Sequence, residues 1–279
     1  MLELTSNYVF SHGTRLHYYR TGGEKPALVL VHGITDDGLC WTPVVEVLAD
    51  QYDVIMVDMR GHGKSEAPED GYTYGNMVSE LAGFCQALNL DKPILLGHSM
   101  GAITTLALAG MYPDLPRAIL LEDPPPFWRS EHLAAQDAES RDGLKSWVES
   151  NKRKTSDDLL VELRANNPGW QKAEWEPWIN AKHRYSPHVT ALAYPQDIKS
   201  LDFPNLLKRV ACPVIFISAE QKLGAASSPE DISKLKEILP NLRVVHVDGA
   251  GHNIRRDRFE RYMEIIEQVL VAFQDHSIC

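Results

Sequence analysis

Ser99 stands in "GHSMG", residues 97–101, between the apolar run "PILL" and an alanine- and leucine-rich segment. A serine hydroxyl is a weak nucleophile until a neighbouring base takes its proton. Small residues on either side suit a sharp strand-to-helix turn, on which the backbone is strained and the hydroxyl is pushed out at the sheet's carboxyl edge. A plain helix cap is the competing role for this serine, and the strand pattern before it with the helix pattern after it favours the nucleophile. His252, in "GAGHNIRRD", is the candidate base, since a glycine-rich loop can bring an imidazole over the sheet edge. Among the other histidines, His32 and His98 sit beside glycines at strand ends and read as structural or pocket-lining. His62 reads as a turn residue, and His132, His183 and His188 belong to an inserted segment.

Acyl transfer also needs donors aimed at an oxyanion. The backbone N–H of Met100, next after the serine, and that of Ile34, after the strand pattern "ALVLVHG", are the expected pair. His32, Gly33 and Trp128 are the expected substrate contacts. Asp36 and Asp37 follow the oxyanion loop and fit a pocket entrance or a solvated turn equally well.

These residues need a scaffold, and the chain supplies its pattern. The runs "PALVLVHG" (26–33), "YDVIMVDMRGHG" (52–63), "KPILLGHS" (92–99) and "RAILLED" (117–123) are short and apolar, as strands buried on both faces of a parallel sheet must be. Helix-compatible segments, 41–49, 74–89 and 100–112, alternate with them, which predicts crossovers covering both faces of the sheet. Two short strands around His12-Gly13 make an antiparallel edge. Three prolines, Pro124, Pro125 and Pro126, stop the alternation. From 127 to about 203 the chain is polar and helical and holds five of the six tryptophans, Trp128, Trp147, Trp170, Trp175 and Trp178. The sheet pattern resumes at 212–220 and 243–252, with helices at 229–238 and 256–273. The expected organisation is a core of residues 1–124 and 205–279 with a helical cap of residues 125–204. The run "NKRKTSDD" (151–158) reads as an exposed helix junction capped by Thr155 or Ser156.

Composition narrows the function. With 279 residues, 44% hydrophobic content and a formal charge of −10, the chain is an ordinary globular protein without the basic surface that nucleic acid or an anionic membrane would call for. No run suggests a membrane span or a secretory leader, so a cytoplasmic location is expected. Cys40, Cys85, Cys212 and Cys279 are scattered, without metal-ligand spacing, and read as reduced, non-catalytic thiols; no metal is expected.

The set "VHGITDDGLCW", "VDMRGHGKSEAP", "LLGHSMGA" and "GAGHNIRRD", in this order, resembles the α/β-hydrolase family over nearly the whole chain outside the insertion. The resemblance implies an α/β fold with a mostly parallel, eight-stranded sheet flanked by helices. It also implies a cap between the sixth and seventh strands, a Ser…acid…His order and no cofactor. Many relatives place the acid in a loop after the seventh strand; here "SAEQKLGAA" puts Lys222 at that position, and a lysine cannot orient an imidazolium. Two carboxylates remain. Glu220 lies two residues early in that loop. Asp123 ends the sixth strand, 24 residues after Ser99, where a minority of the family, including some dehalogenases and fungal lactonases, carries the acid. Asp123 is preferred and Glu220 is the alternative, with Glu122 a weak third because strand alternation turns it the other way.

The expected activity is a serine hydrolase that cleaves a carboxylic ester or lactone of a small, apolar or aromatic molecule through an acyl-enzyme. Carbon–carbon bond hydrolysis, peracid formation and slow-turnover ligand reception are the alternatives. The partner is the small substrate, with the chain a monomer or homodimer.

Overall fold

A computed structural model describes residues 3–129, 138–193, 198 and 201–274. Eight strands form one sheet: β1 (Thr5–Ser11), β2 (Thr14–Arg20), β3 (Ala27–Val31), β4 (Asp53–Val57), β5 (Ile94–His98), β6 (Ala118–Glu122), β7 (Val214–Ser218) and β8 (Leu242–His246). Their order is β1-β2-β4-β3-β5-β6-β7-β8, antiparallel where β2 meets β1 and β4 and parallel elsewhere. Every residue of β4, β5, β6 and β7 is buried, which explains why these segments are continuous apolar runs and not alternating ones.

The sheet has a core on each face. On one, α2 (Tyr74–Ala87) and α3 (Met100–Met111) pack Phe84, Ile103 and Leu106 against Leu95 and Leu121. On the other, α1 (Thr42–Leu48) and a C-terminal helix pack Leu48 and Ile266 against Leu30 and Leu96. Truncating one such leucine to alanine costs about 2–5 kcal/mol.

Between β6 and β7 lie α4 (Ala138–Arg153), α5 (Ser156–Asn166), α6 (Lys172–Arg184), a 3₁₀ turn (Pro187–Ala193) and α7 (Phe203–Leu207). The start of α5 is fixed by a capping box, in which the Thr155 hydroxyl accepts from Asp158 N while the Asp158 carboxylate accepts from Thr155 N. After β7 come α8 (Pro229–Ile238), α9 (Ile254–Asp257) and α10 (Phe259–Gln274). No described helix is long and apolar enough to cross a membrane.

Three elements differ from the sequence reading, the first being β8, which ends at His246 and not at His252. The fourth strand stops at Val57, because the Asp58 carboxylate accepts from Gly38 N and Lys64 N and turns the following "MRGHG" into a loop. The last helix is two helices, broken at Arg258, whose backbone leaves the helical region (φ −141°). His132 and Cys279 lie outside the described residues. Cys40, Cys85 and Cys212 are buried free thiols, and burial pushes Cys85 and Cys212 up to about 12.

Candidate active site

Ser99 ends β5 and opens α3 with φ 53° and ψ −114°, a conformation that side chains rarely adopt. The two glycines of "GHSMG" follow from packing. A Cβ on Gly97 would stand 2.4 Å from the Gly101 carbonyl oxygen, and one on Gly101 would stand 2.2 Å from that of Val31. Helix α3 can therefore approach the sheet closely enough to present Ser99 only with glycine at both places.

His252 sits in the loop between β8 and α9. Its Nε2 lies 3.0 Å from Ser99 Oγ and its Nδ1 lies 2.6 Å from Asp123 Oδ2. Asp123 follows β6 directly, has φ 41° and is fully buried. Its carboxylate accepts from Ala226 N at 2.7 Å and Ser227 N at 3.3 Å, so the loop after β7 contributes amides here. Glu220 faces elsewhere: it accepts from Gly249 N at 2.7 Å and pairs with Lys222. Its role is in the shape of the histidine loop. Glu122 points to the opposite side of β6, where it accepts from Arg255 N and the Tyr262 hydroxyl.

His98 lines the same cavity and its Nε2 lies 3.0 Å from the His252 carbonyl oxygen. Burial holds the His98 imidazole well below its ordinary pKa, with Arg255 adding to the effect. A neutral His98 therefore donates from Nε2 and holds the His252 backbone.

On the other side of Ser99, Gly33, Ile34, Thr35 and Asp36 form a turn closed by a 3.1 Å hydrogen bond from Asp36 N to Gly33 O. Ile34 lines the cavity. The N–H of Met100 is the first of α3 and has no acceptor within its own helix.

The cavity above Ser99 has a volume of about 380 Å³. Trp147, Trp170 and Trp178 of the inserted segment line it, with Lys182, Arg256 and Asn151. Two expected substrate contacts lie outside it. His32 is fully buried, its Nδ1 against Gly33 O and its Nε2 accepting from Met59 N. Trp128 is turned away, its indole N–H donating to Asp231 O and its ring edge-on to Phe216. Gly33 does line the cavity, and a Cβ there would meet His98 Nδ1 at 2.7 Å.

Sequence reasoning missed a buried ionic cluster. Asp36, 4% exposed, pairs with Lys182 (3.2 Å), Arg256 (3.0 Å) and Arg255 (3.3 Å). Burial pushes its carboxyl up, but Arg256, Lys182 and Arg255 together outweigh that and hold it well below the usual carboxylate range. Arg256 also donates from Nε to Glu174 of α6, while its Nη2 has no partner among the described residues. Asp37 pairs with Arg184, yet burial and the nearby Asp58 push its carboxyl up to about 7. Neither aspartate belongs to a solvated turn. The visible hint was the "RR" after His252, an unusual place for two charges if the loop packs over a sheet edge.

A second Ser–His–Asp chain exists. Ser6 Oγ lies 2.7 Å from His17 Nε2, and His17 Nδ1 lies 2.8 Å from Asp58 Oδ2. None of the three lines the cavity of Ser99, and Ser6 lies in the regular edge strand β1 without positive φ.

A sequence model described as the alpha/beta hydrolase fold matches residues 26–255. An N-formylmaleamate deformylase of Pseudomonas putida is 31% identical over 275 residues, covering 97% of this chain and 96% of its own. A 2-(acetamidomethylene)succinate hydrolase of Mesorhizobium japonicum is 30% identical over 245 residues, 84% of each chain. A crystal structure of E-2-(acetamidomethylene)succinate hydrolase superposes with a TM-score of 0.81 at 25% identity, covering 97% of this chain and all of that one.

Proposed function

The chain belongs to the α/β-hydrolase fold family, and on that premise we propose that it hydrolyses the acyl bond of a small polar molecule through a Ser99 acyl-enzyme. The observation that carries this reading is the continuous contact from Ser99 Oγ through His252 to Asp123 beneath the cavity that Ser99 and His252 line.

Ser99 Oγ attacks the scissile carbonyl while His252 Nε2 takes its proton. Asp123 holds the imidazole by Nδ1–H and stabilises the imidazolium. The N–H groups of Ile34 and Met100 receive the oxyanion. His252 then gives the proton to the departing nitrogen or oxygen, and the acyl-enzyme remains. Water attacks it with His252 as base, releasing the acid and restoring Ser99. The helices between β6 and β7 act as the cap that encloses these steps.

For the bond itself, a C–N acyl bond is the first choice. Two relatives at 30% identity or more, each covered over at least 84% of its length, are named for a formyl amide and an acetamido compound, both of carboxylic acids. The cavity suits such a molecule, because the cationic residues Arg256 and Lys182 line it and Trp147, Trp170 and Trp178 flank them. A carboxylic ester is the second choice, since its better leaving group makes the smaller demand on the same machinery.

The test is a panel of N-formyl and N-acetyl amides of unsaturated dicarboxylic acids beside p-nitrophenyl esters and lactones, with wild type and Ser99→Ala. Higher kcat/KM on the amides, abolished in Ser99→Ala, is the expected result. Activity on esters or lactones alone would displace the amide reading, and no turnover of any member would remove the hydrolase reading.

A further inference from the structure

The turn that carries Ile34 is built on a residue that does not suit it. Its closing hydrogen bond runs from Asp36 N to Gly33 O, so Ile34 and Thr35 are its central residues. Thr35 has φ 67° whereas Ile34 does not have positive φ. That is a type II turn, whose third position calls for glycine or asparagine. A β-branched residue there is an outlier that its surroundings must enforce.

The enforcement comes from the cap. Lys182 of α6 donates from Nζ to Thr35 O at 3.0 Å and approaches Thr35 Oγ1 at 3.2 Å. His62 Nε2 accepts from Thr35 N at 3.4 Å, and burial pushes His62 down to about 3, which keeps it an acceptor. Every polar atom of Thr35 is thus held. Lys182 is 1% exposed, and the ring of Trp178 lies 4.5 Å from its ammonium. Neutralising Asp36 does not require the lysine, because Arg255 and Arg256 already pair with that carboxylate.

We propose that Lys182 is a positioning residue for the oxyanion hole: the cap lysine locks Thr35 in a glycine-like conformation, and the locked turn aims the Ile34 N–H at the acyl oxygen. The hole is then complete only while α6 is docked, so enclosure of the substrate and readiness of the site arrive together. The proposal rests on the reading of Ile34 as an oxyanion donor.

The test is a double-mutant cycle between Lys182→Met and Thr35→Gly. Turnover is measured on p-nitrophenyl acetate, with inhibition by a trifluoromethyl ketone and amide hydrogen exchange of the peptide spanning residues 33–36. K182M is expected to lower kcat by about 10²- to 10³-fold, as loss of one oxyanion donor does, with KM within about threefold. It should weaken the ketone in parallel and speed exchange in the turn. Adding T35G, which makes the turn at ease without the lysine, should bring kcat back to within about tenfold of wild type and restore protection. An equal loss with and without T35G would overturn the proposal, as would a KM effect in place of a kcat effect. Should K182M fail to fold, the same rescue is required of Lys182→Gln. Wild type that turns over neither this ester nor any amide or lactone of the panel overturns the hydrolase reading, and the exchange rates then decide on the lysine alone.

Discussion

Asp123 Oδ2 lies 2.6 Å from His252 Nδ1, although Asp123 leaves β6 and the loop after β7 reaches it only with the backbone amides of Ala226 and Ser227. The carboxylate and the amides that hold it therefore come from different strands. Asp123→Asn keeps the shape and removes the charge that selects the histidine tautomer, so kcat should fall about 10³- to 10⁴-fold. Glu220→Gln keeps an acceptor for Gly249 N and should cost less than about tenfold. Steady-state kinetics on one substrate compare the two, and equal losses would give Glu220 a share in the relay.

Gly33 leaves no room for a side chain beside His98. Gly33→Ala places a methyl group 2.7 Å from His98 Nδ1 and 3.4 Å from Ser99 Cβ. Displacing His98 disturbs the His252 carbonyl that it holds, so kcat should drop at least about tenfold, with about 1–3 kcal/mol of stability lost to overpacking. Paired kinetics and thermal unfolding check this, and a variant with native kcat would show that His98 can move without consequence.

Trp128 is an anchor outside the cavity. Trp128→Phe removes the donor to the buried Asp231 carbonyl and should cost about 1–3 kcal/mol by denaturant unfolding. KM should stay within about twofold; a large change in KM would bring Trp128 back to the substrate.

How much was legible in the sequence follows from where each instruction resides. Ser99, Met100 and Ile34 belong to short stretches in which strand end, glycines and helix start are contiguous, and the close approach of Gly97 to Gly101 shows why that spelling is obligatory. The choice between Asp123 and Glu220 depends on the path of the loop after β7, and nothing local in "SAEQKLGAASS" states that its amides at 226 and 227 turn to β6. Trp128 is near Asp123 in sequence, yet the residues between them include three prolines that redirect the chain. Lys182 and Arg256 carry charges that on a helix normally face water; partners far away in sequence, Asp36 and the Thr35 carbonyl for Lys182 and Asp36 and Glu174 for Arg256, make their burial tolerable.

Asp37 gives the fold a pH signature. Its carboxyl is raised to about 7 by burial and by Asp58, above the value near 4 expected of an unfolded aspartate. A raised folded value means that the contribution to stability is fully present below pH 4 and is lost as pH rises to about 7. Asp37→Asn removes the titration, so the stability difference between variant and wild type should move in the variant's favour from pH 4 to pH 8. Denaturant midpoints across that range provide the measurement, and a parallel pair of curves would count against it.

The torsions of Ser99 belong to a glycine's territory, and the close-packed strand and helix around it hold them there. The fold is therefore under tension at its most reactive atom, and relief comes from deleting that atom's side chain altogether. Ser99→Gly should melt above Ser99→Ala, because release of about 1–3 kcal/mol of backbone strain exceeds the roughly 0.5–1 kcal/mol that glycine's looser unfolded chain takes back. Selection acting on stability alone would thus drift away from this serine, so its persistence in the chain would itself be a trace of use.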